Sequence, residues 1–379
     1  MNRKINSSDK KKSTAPARPS SKKIRSVINE KRRPSSTRKN SKKNKTEFND
    51  EKHASATPAN ELDRNKPVTE EQKLCFVTFL RYALTIGVPG ILQEFQEQLK
   101  GYSPPNVTRF AFDANTDRNR YKALRNGPEY IHANYVRGEP LVNAFICTQG
   151  PMVDTVKDFW RMIIQEKACN IIMLCETVEL GKEKCQQYWP REEGCVIEWP
   201  GITIRNMKVD TSDSTTVVCT LEVEVDRTEK IVLKHFQWRT WPDRSVPQSV
   251  LAPFRLLSQA RHRQNPTVVH CSAGVGRTGT VVALEMCLQQ ILSEQPLSVT
   301  DVVKKLRAQR MHCVQTDLQL VYIYKCLITF AYQHATMPEE FLIKMKEFDM
   351  QYGALLQERS SNEGKQAYEP LTPLNMQNN

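Results

Sequence analysis

The stretch that most restricts what this chain can fold into is TVVHCSAGVGRTGTVVALEMCLQQILSE, residues 267–294. It opens on a short β-branched run that reads as a strand buried on both faces. It closes on a segment whose length and whose Val282, Leu284, Leu288 and Leu292 fit a helix. Glycines at 274, 276 and 279 lie between, where the backbone must curl tightly without Cβ clashes. Strand, tight turn and helix form the repeating unit of α/β proteins. The same arrangement gathers main-chain N–H groups around an anion, because the first helical turn leaves its donors unpaired and its dipole positive. Arg277 adds a planar fork able to hold two oxygens of a phosphate. Cys271, separated from that fork by five residues, sits at the mouth of the nest, where the dipole, the N–H groups and Arg277 favour the thiolate and make it a nucleophile. A cysteine kept only for packing would need no such surroundings. A Walker-type loop is excluded, since no Lys-Ser/Thr pair follows the glycines.

Elsewhere, Thr69 and Gln72 form a capping box ahead of an apolar helix face of Leu74, Phe76, Val77, Leu80 and Leu84. Gly87 and Pro89 interrupt it, and a second helix follows with Ile91, Leu92, Phe95 and Leu99. NIIMLCE (170–176) reads as a strand covered on both faces. TLEVEV and IVLKHFQW, joined by the polar DRTEK, read as an antiparallel hairpin. Alternating strands and helices with such a hairpin predict an α/β fold: a single catalytic domain over residues 67–336 with a highly twisted mixed central sheet and helices on both faces.

Charge marks a second region. The first 50 residues carry 17 Lys and Arg against 4 Asp and Glu, a surplus of 13 that equals the +13 net charge of the whole chain. Residues 1–66 are too polar to bury a core and read as a disordered basic tail. Its partner would be anionic, namely nucleic acid, an acidic membrane face or an import receptor; a solvated tail without a partner is the other reading. Residues 337–379 read as a weakly ordered C-terminal extension with one short amphipathic segment around EEFLIKMKEF. The cysteines number 11, an odd count without CxxC pairs, which favours reduced thiols over a disulfide scaffold or a metal site. With no apolar h-region at the N-terminus and no apolar run of about 18 residues, neither a secretory signal nor a spanning segment is expected. The expected setting is cytoplasmic, with the nucleus as a second option.

His270-Cys271-Ser272-Ala273-Gly274-Val275-Gly276-Arg277-Thr278-Gly279 resembles the signature of the protein tyrosine phosphatases, in the form of the phosphotyrosine-specific, non-receptor class. The likeness runs from about Val88 to about Phe330. It implies a two-step reaction through a cysteinyl-phosphate, with no cofactor, no metal, a monomeric enzyme and phosphotyrosine-containing proteins as partners. Cys271 would be the nucleophile, with Arg277 and the main chain of Ser272, Ala273, Gly274, Val275 and Gly276 holding the phosphate. TWPDRSVP resembles the mobile acid loop, with Asp243 as general acid, Trp241 as hinge anchor and Pro242 stiffening the turn. QTDLQ resembles the glutamine loop, in which Gln315 orients a water and Gln319 assists. Thr278 would hydrogen-bond the sulfur. NRYKAL resembles the recognition loop whose Tyr121 packs on the substrate ring, and Glu179 and Lys184 resemble the pair that binds the signature arginine and the acid loop. Arg310 and His312 would border the pocket, with His312 obstructing a second phosphotyrosine site. FICTQGP and DFWRMI resemble core motifs.

Two positions depart from the family pattern. Ala123 stands where an aspartate usually bonds the substrate backbone, and Ser245 follows Arg244 where a glycine usually stands. They leave room for a catalytically weak relative that captures phosphotyrosine without efficient hydrolysis. A third reading, an RNA 5′-triphosphate phosphatase using the same loop, is opposed by the acid-loop and tyrosine-recognition motifs.

Overall fold

The capping box predicted at Thr69 is made: Thr69 Oγ1 accepts the Gln72 N–H at 3.1 Å and Gln72 Oε1 accepts the Thr69 N–H at 3.2 Å. The computed structural model describes residues 68–105, 110–120, 130–226, 229–242, 245–261, 264–334 and 338–366. The basic tail, Tyr121, Ala123, Asp243 and Arg244 lie outside them. From the cap runs α1 (Glu70–Glu94), which bends at Gly87, a residue with φ of 60°. The two helices expected to be punctuated by Gly87 and Pro89 are both present within α1, meeting at the non-helical Gly87, and a π-helical turn, Phe95–Leu99, continues the second. By length and composition alone Glu70–Leu99 would suffice to cross a bilayer. In this fold its Phe76, Phe79, Leu80, Ala83 and Ile91 are buried in the protein core.

There follow α2 (Phe110–Ala114), β1 (Ala133–Val136), β2 (Phe145–Thr148), α3 (Val156–Gln165) and β3 (Asn170–Met173). A small hairpin of β4 (Val178–Glu179) and β5 (Lys182–Glu183) leads to β6 (Val196–Trp199), β7 (Ile202–Asp210), β8 (Thr216–Val225) and β9 (Glu229–Trp238). The chain continues through α4 (Ala252–Arg261), β10 (Thr267–His270), α5 (Gly276–Leu292), α6 (Val299–Gln309), α7 (Asp317–His334) and α8 (Glu339–Gln366). The larger sheet has the order β1-β2-β10-β3-β9-β8-β7-β6, in which β2, β10, β3 and β9 are mutually parallel and the rest antiparallel. It is the mixed sheet expected.

Burial explains the pattern of each strand. All four residues of β2, of β3 and of β10 are buried, so both faces of the parallel centre are covered. In β8 burial alternates from Cys219 to Glu224 instead: Leu221 and Val223 are buried, while Glu222 and Glu224 meet Lys230 of β9 at 3.5 and 3.0 Å. Every residue of α5 is buried, enclosed by α1, α4, α6 and α7. Its one acidic side chain, Glu285, is fully buried and takes Arg261 bidentately at 2.5 and 2.7 Å, as a buried charge requires.

The C-terminal segment departs from the weakly ordered extension expected there. Glu339–Gln366 is a single helix of 28 residues packed on α1, with Phe341, Phe348, Tyr352 and Leu355 buried. Each such side chain contributes about 1.5–3 kcal/mol by leaving water. The stripe is narrow and interrupted by charges, so the local pattern displays only its first turns.

Candidate active site

The loop between β10 and α5 is shaped from behind. Arg310, 2% exposed, donates from Nε to Gly274 O at 2.5 Å and from Nη2 to Ala273 O at 3.2 Å, while its Nη1 reaches Asn134 Oδ1 on β1 at 2.7 Å. Holding those carbonyls outside turns the opposite edges of the peptide planes inward. The Gly274 N–H accordingly donates to Cys271 Sγ at 3.2 Å. Gly274 has φ of 69°, and a Cβ there would lie 2.0 Å from Thr148 O, so no larger residue fits. Ser272 O accepts the Gly150 N–H at 3.0 Å, and Val275 O accepts the N–H groups of Gly279 and Val314 at 3.1 and 3.2 Å. Cys271 itself is 5% exposed.

Arg277 is nearly buried and held by Glu179, Nη1 to Oε1 at 2.6 Å and Nη2 to Oε2 at 3.0 Å, with a further bond from Nη1 to Leu174 O at 2.9 Å. Burial opposes its charge, but the bond to Glu179 and that residue's charge outweigh burial and raise its pKa above the usual value. Lys184 Nζ stands 4.0 Å from Glu179 Oε2. Glu179 of β4 thus holds Arg277 of α5, with Lys184, just past β5, beside it.

Both glutamines face the loop. A Cβ on Gly276 would meet Gln319 Nε2 at 2.9 Å and Gln315 Oε1 at 3.2 Å. Gln319 also closes a capping box at the start of α7: its Oε1 accepts the N–H groups of Gln315 and Thr316 at 2.8 and 3.3 Å, and its own N–H donates to Thr316 Oγ1 at 3.2 Å. Arg307 fixes the preceding turn through the carbonyls of Cys313, Val314 and Leu99. Trp241 is buried between Trp238 and Tyr322, and its Nε1 donates to Ser245 O at 3.0 Å across the segment that holds Asp243.

Two expectations need correction. Thr278 does not bond the sulfur; its buried Oγ1 has no partner among the described residues, and the Gly274 N–H takes that place. Arg310 does not border the pocket but lies beneath it. His312 has φ of 64°, a conformation that favours glycine.

A network around His270 went unread in the sequence. Tyr188 Oη lies 2.8 Å from His235 Nε2 and 2.7 Å from His270 Nε2. His270 Nδ1 lies 3.2 Å from Cys271 O, a carbonyl that can only accept. His270 therefore carries its proton on Nδ1 and accepts from Tyr188, whose oxygen accepts from His235 Nε2–H. The remaining His235 Nδ1 is bare, and it has no partner among the described residues. Only spatial adjacency of β9, β10 and residue 188 creates this chain, so no local motif announces it.

Burial keeps these imidazoles neutral, pushing His270 to about 4 and His235 well below its usual value. Burial and then the Arg310 charge also lower His132 to about 4. The unfolded chain protonates each near 6.5. Below that pH the unfolded state takes up protons the native state refuses, so stability is fully present above 6.5 and falls as pH drops towards 4. The slope is about 1.4 kcal/mol per pH unit for each histidine. Thermal melts at pH 7, 6 and 5 should show a progressively lower Tm; a flat Tm across this range would contradict the burial of these rings.

A thiol that receives a main-chain N–H, a guanidinium clamped by a carboxylate and two facing glutamines, set between a parallel strand and a helix, form an arrangement with the donors a phosphate group would need. Residues 109–329 match the protein-tyrosine phosphatase family model, and the chain belongs to that family. Among curated relatives, rat tyrosine-protein phosphatase non-receptor type 9 is 32% identical over 68% of this chain and 49% of its own length. Human receptor-type tyrosine-protein phosphatase H is 33% identical over 66% of this chain and 24% of its own. The chain thus spans half or less of the length of these relatives. A solved structure described as the structural basis of the PTPN18 fingerprint on distinct HER2 tyrosine phosphorylation sites matches 68% of this chain and 99% of its own, at a TM-score of 0.57 and 27% identity.

Proposed function

We propose that this protein hydrolyses phosphotyrosine in other proteins in two steps through a cysteinyl-phosphate. The observation that carries the reading is the Cys271 sulfur receiving a main-chain N–H within a loop whose Arg277 is held bidentately by Glu179. In the first step Cys271 Sγ attacks phosphorus, the bond from phosphorus to the tyrosyl oxygen breaks, and Asp243 delivers its proton to the departing phenolate. In the second, Gln315 places a water against the phosphorus with Gln319 beside it. Asp243 takes the water's proton, the P–S bond breaks with its electron pair returning to sulfur, and phosphate leaves. The inward N–H groups and Arg277 offset the charge that builds on the equatorial oxygens in both transition states. From the resemblance of NRYKAL to the recognition loop, Tyr121 would limit the pocket to the length of a phosphotyrosine, so that shorter phosphoserine would not reach Cys271. A cytoplasmic setting, in which the cysteines stay reduced, fits this chemistry.

The test is phosphate release from phosphotyrosine peptides by the full chain, with Asp243→Ala beside it. The expected result is turnover by the wild type and slow turnover with retained substrate by the variant, which would then capture physiological substrates, with and without residues 1–66. Ala123 and Ser245 favour the second reading, a phosphotyrosine-binding relative of weak activity. Peptide binding without phosphate release over hours would establish that reading instead.

A further inference from the structure

We propose that the C-terminal helix α8 supports the water-placing step, with Arg359 as a positioning residue for the glutamine loop. This rests on the two-step reading above. The helix lies beyond residues 109–329 that match the family model. It is fixed along its length: Phe341, Phe348, Tyr352 and Leu355 are buried, Gln351 Oε1 accepts the Val88 N–H at the α1 kink at 2.9 Å, and Asp349 pairs with Lys325 of α7 at 2.5 Å. So anchored, it brings Arg359 Nη2 to 2.7 Å from Asp317 Oδ2.

Asp317 stands two residues after Gln315, at the first residue of α7. Its other oxygen, Oδ1, accepts the Leu318 N–H at 2.7 Å, so the carboxylate is tied on one side to its own helix and on the other to α8. The next links are the Thr316 and Gln319 capping box and the bond from the Gln315 N–H to Gln319 Oε1 at 2.8 Å. The path from α8 to the residue that places the water is thus a run of adjoining contacts. With side chains 45% and 29% exposed, the ion pair adds little to overall stability, so its removal should leave the fold in place and act on the loop. Hydrolysis of the cysteinyl-phosphate depends on the placement of a single water, and small displacements of positioning groups cost rate. Attack by the thiolate does not use that water.

The experiment compares wild type, Arg359→Ala and Arg359→Lys in the full chain, with para-nitrophenyl phosphate as probe. Steady-state kcat and kcat/KM, the acid-trapped cysteinyl-phosphate and the Tm are measured. For Arg359→Ala we expect kcat to fall about threefold to fivefold with kcat/KM unchanged, because kcat/KM extends only through the first transfer. The trapped intermediate should rise, Tm should hold, and Arg359→Lys should recover most of kcat. A fall in kcat, kcat/KM and Tm together would show a merely structural contact and overturn the inference, as would no change in kcat. A wild type that releases no phosphate would overturn the two-step reading and this inference with it; an active wild type whose alanine variant is unchanged would overturn this inference alone.

Discussion

Replacing Cys271 by serine is expected to abolish phosphate release, by roughly 10⁵-fold or more, the scale on which loss of a covalent nucleophile is felt. The hydroxyl is a poorer nucleophile than sulfur, and serine does not ionise near neutrality. The geometry of the site should survive, since serine is smaller than cysteine and the surrounding bonds are made by Arg310, Glu179 and the loop's own backbone. The variant should therefore still bind a phosphotyrosine peptide. Calorimetric titration and a phosphate-release assay on the same preparation check both halves. Residual turnover above about a thousandth of wild type would mean that sulfur does not carry the phosphoryl group.

Gly274→Ala should be nearly as damaging by a different route. The residue has a left-handed φ of 69°, and its Cβ would lie 2.0 Å from the Thr148 carbonyl oxygen and 2.8 Å from the Gln149 nitrogen. Both obstacles are backbone of the strand β2 and its continuation, so no rotamer change relieves them. Left-handed strain adds about 1–2 kcal/mol and overpacking about 1–3 kcal/mol. Loss of the N–H bond to the sulfur and of the bond from Arg310 should follow as the loop shifts. We expect a Tm several degrees lower and activity reduced by at least about 100-fold, since a donor aimed at developing charge is lost. Unchanged Tm and activity would mean the loop is pliant rather than wedged against β2.

The sequence carried the site further than it carried the surrounding scaffold. Cys271, Arg277, Glu179, Gln315 and Gln319 lie in short motifs whose residue types have few uses, and each is found at the loop. Thr69 with Gln72 and the hairpin of β8 and β9 were legible because capping and alternation are local rules. What escaped was set by distant partners. The resemblance places Arg310 at the pocket border, and its position behind the loop shows only once the carbonyls of Ala273 and Gly274 are seen bonded to it. His235 is one of several polar residues in β9 until Tyr188 and His270 close around it. The length of α8 is decided by its contact with α1, and its interrupted apolar stripe does not announce that.

The bonds from Arg310 have a consequence for how tightly an anion is held. The loop's curvature is maintained by a guanidinium on the protein side of the peptide planes, one that an incoming ligand never touches. Little conformational freedom is left to surrender when the pocket fills, so more of the contact energy survives as affinity. Small oxyanions such as inorganic phosphate or vanadate should on this ground be gripped as competitors of the larger ester.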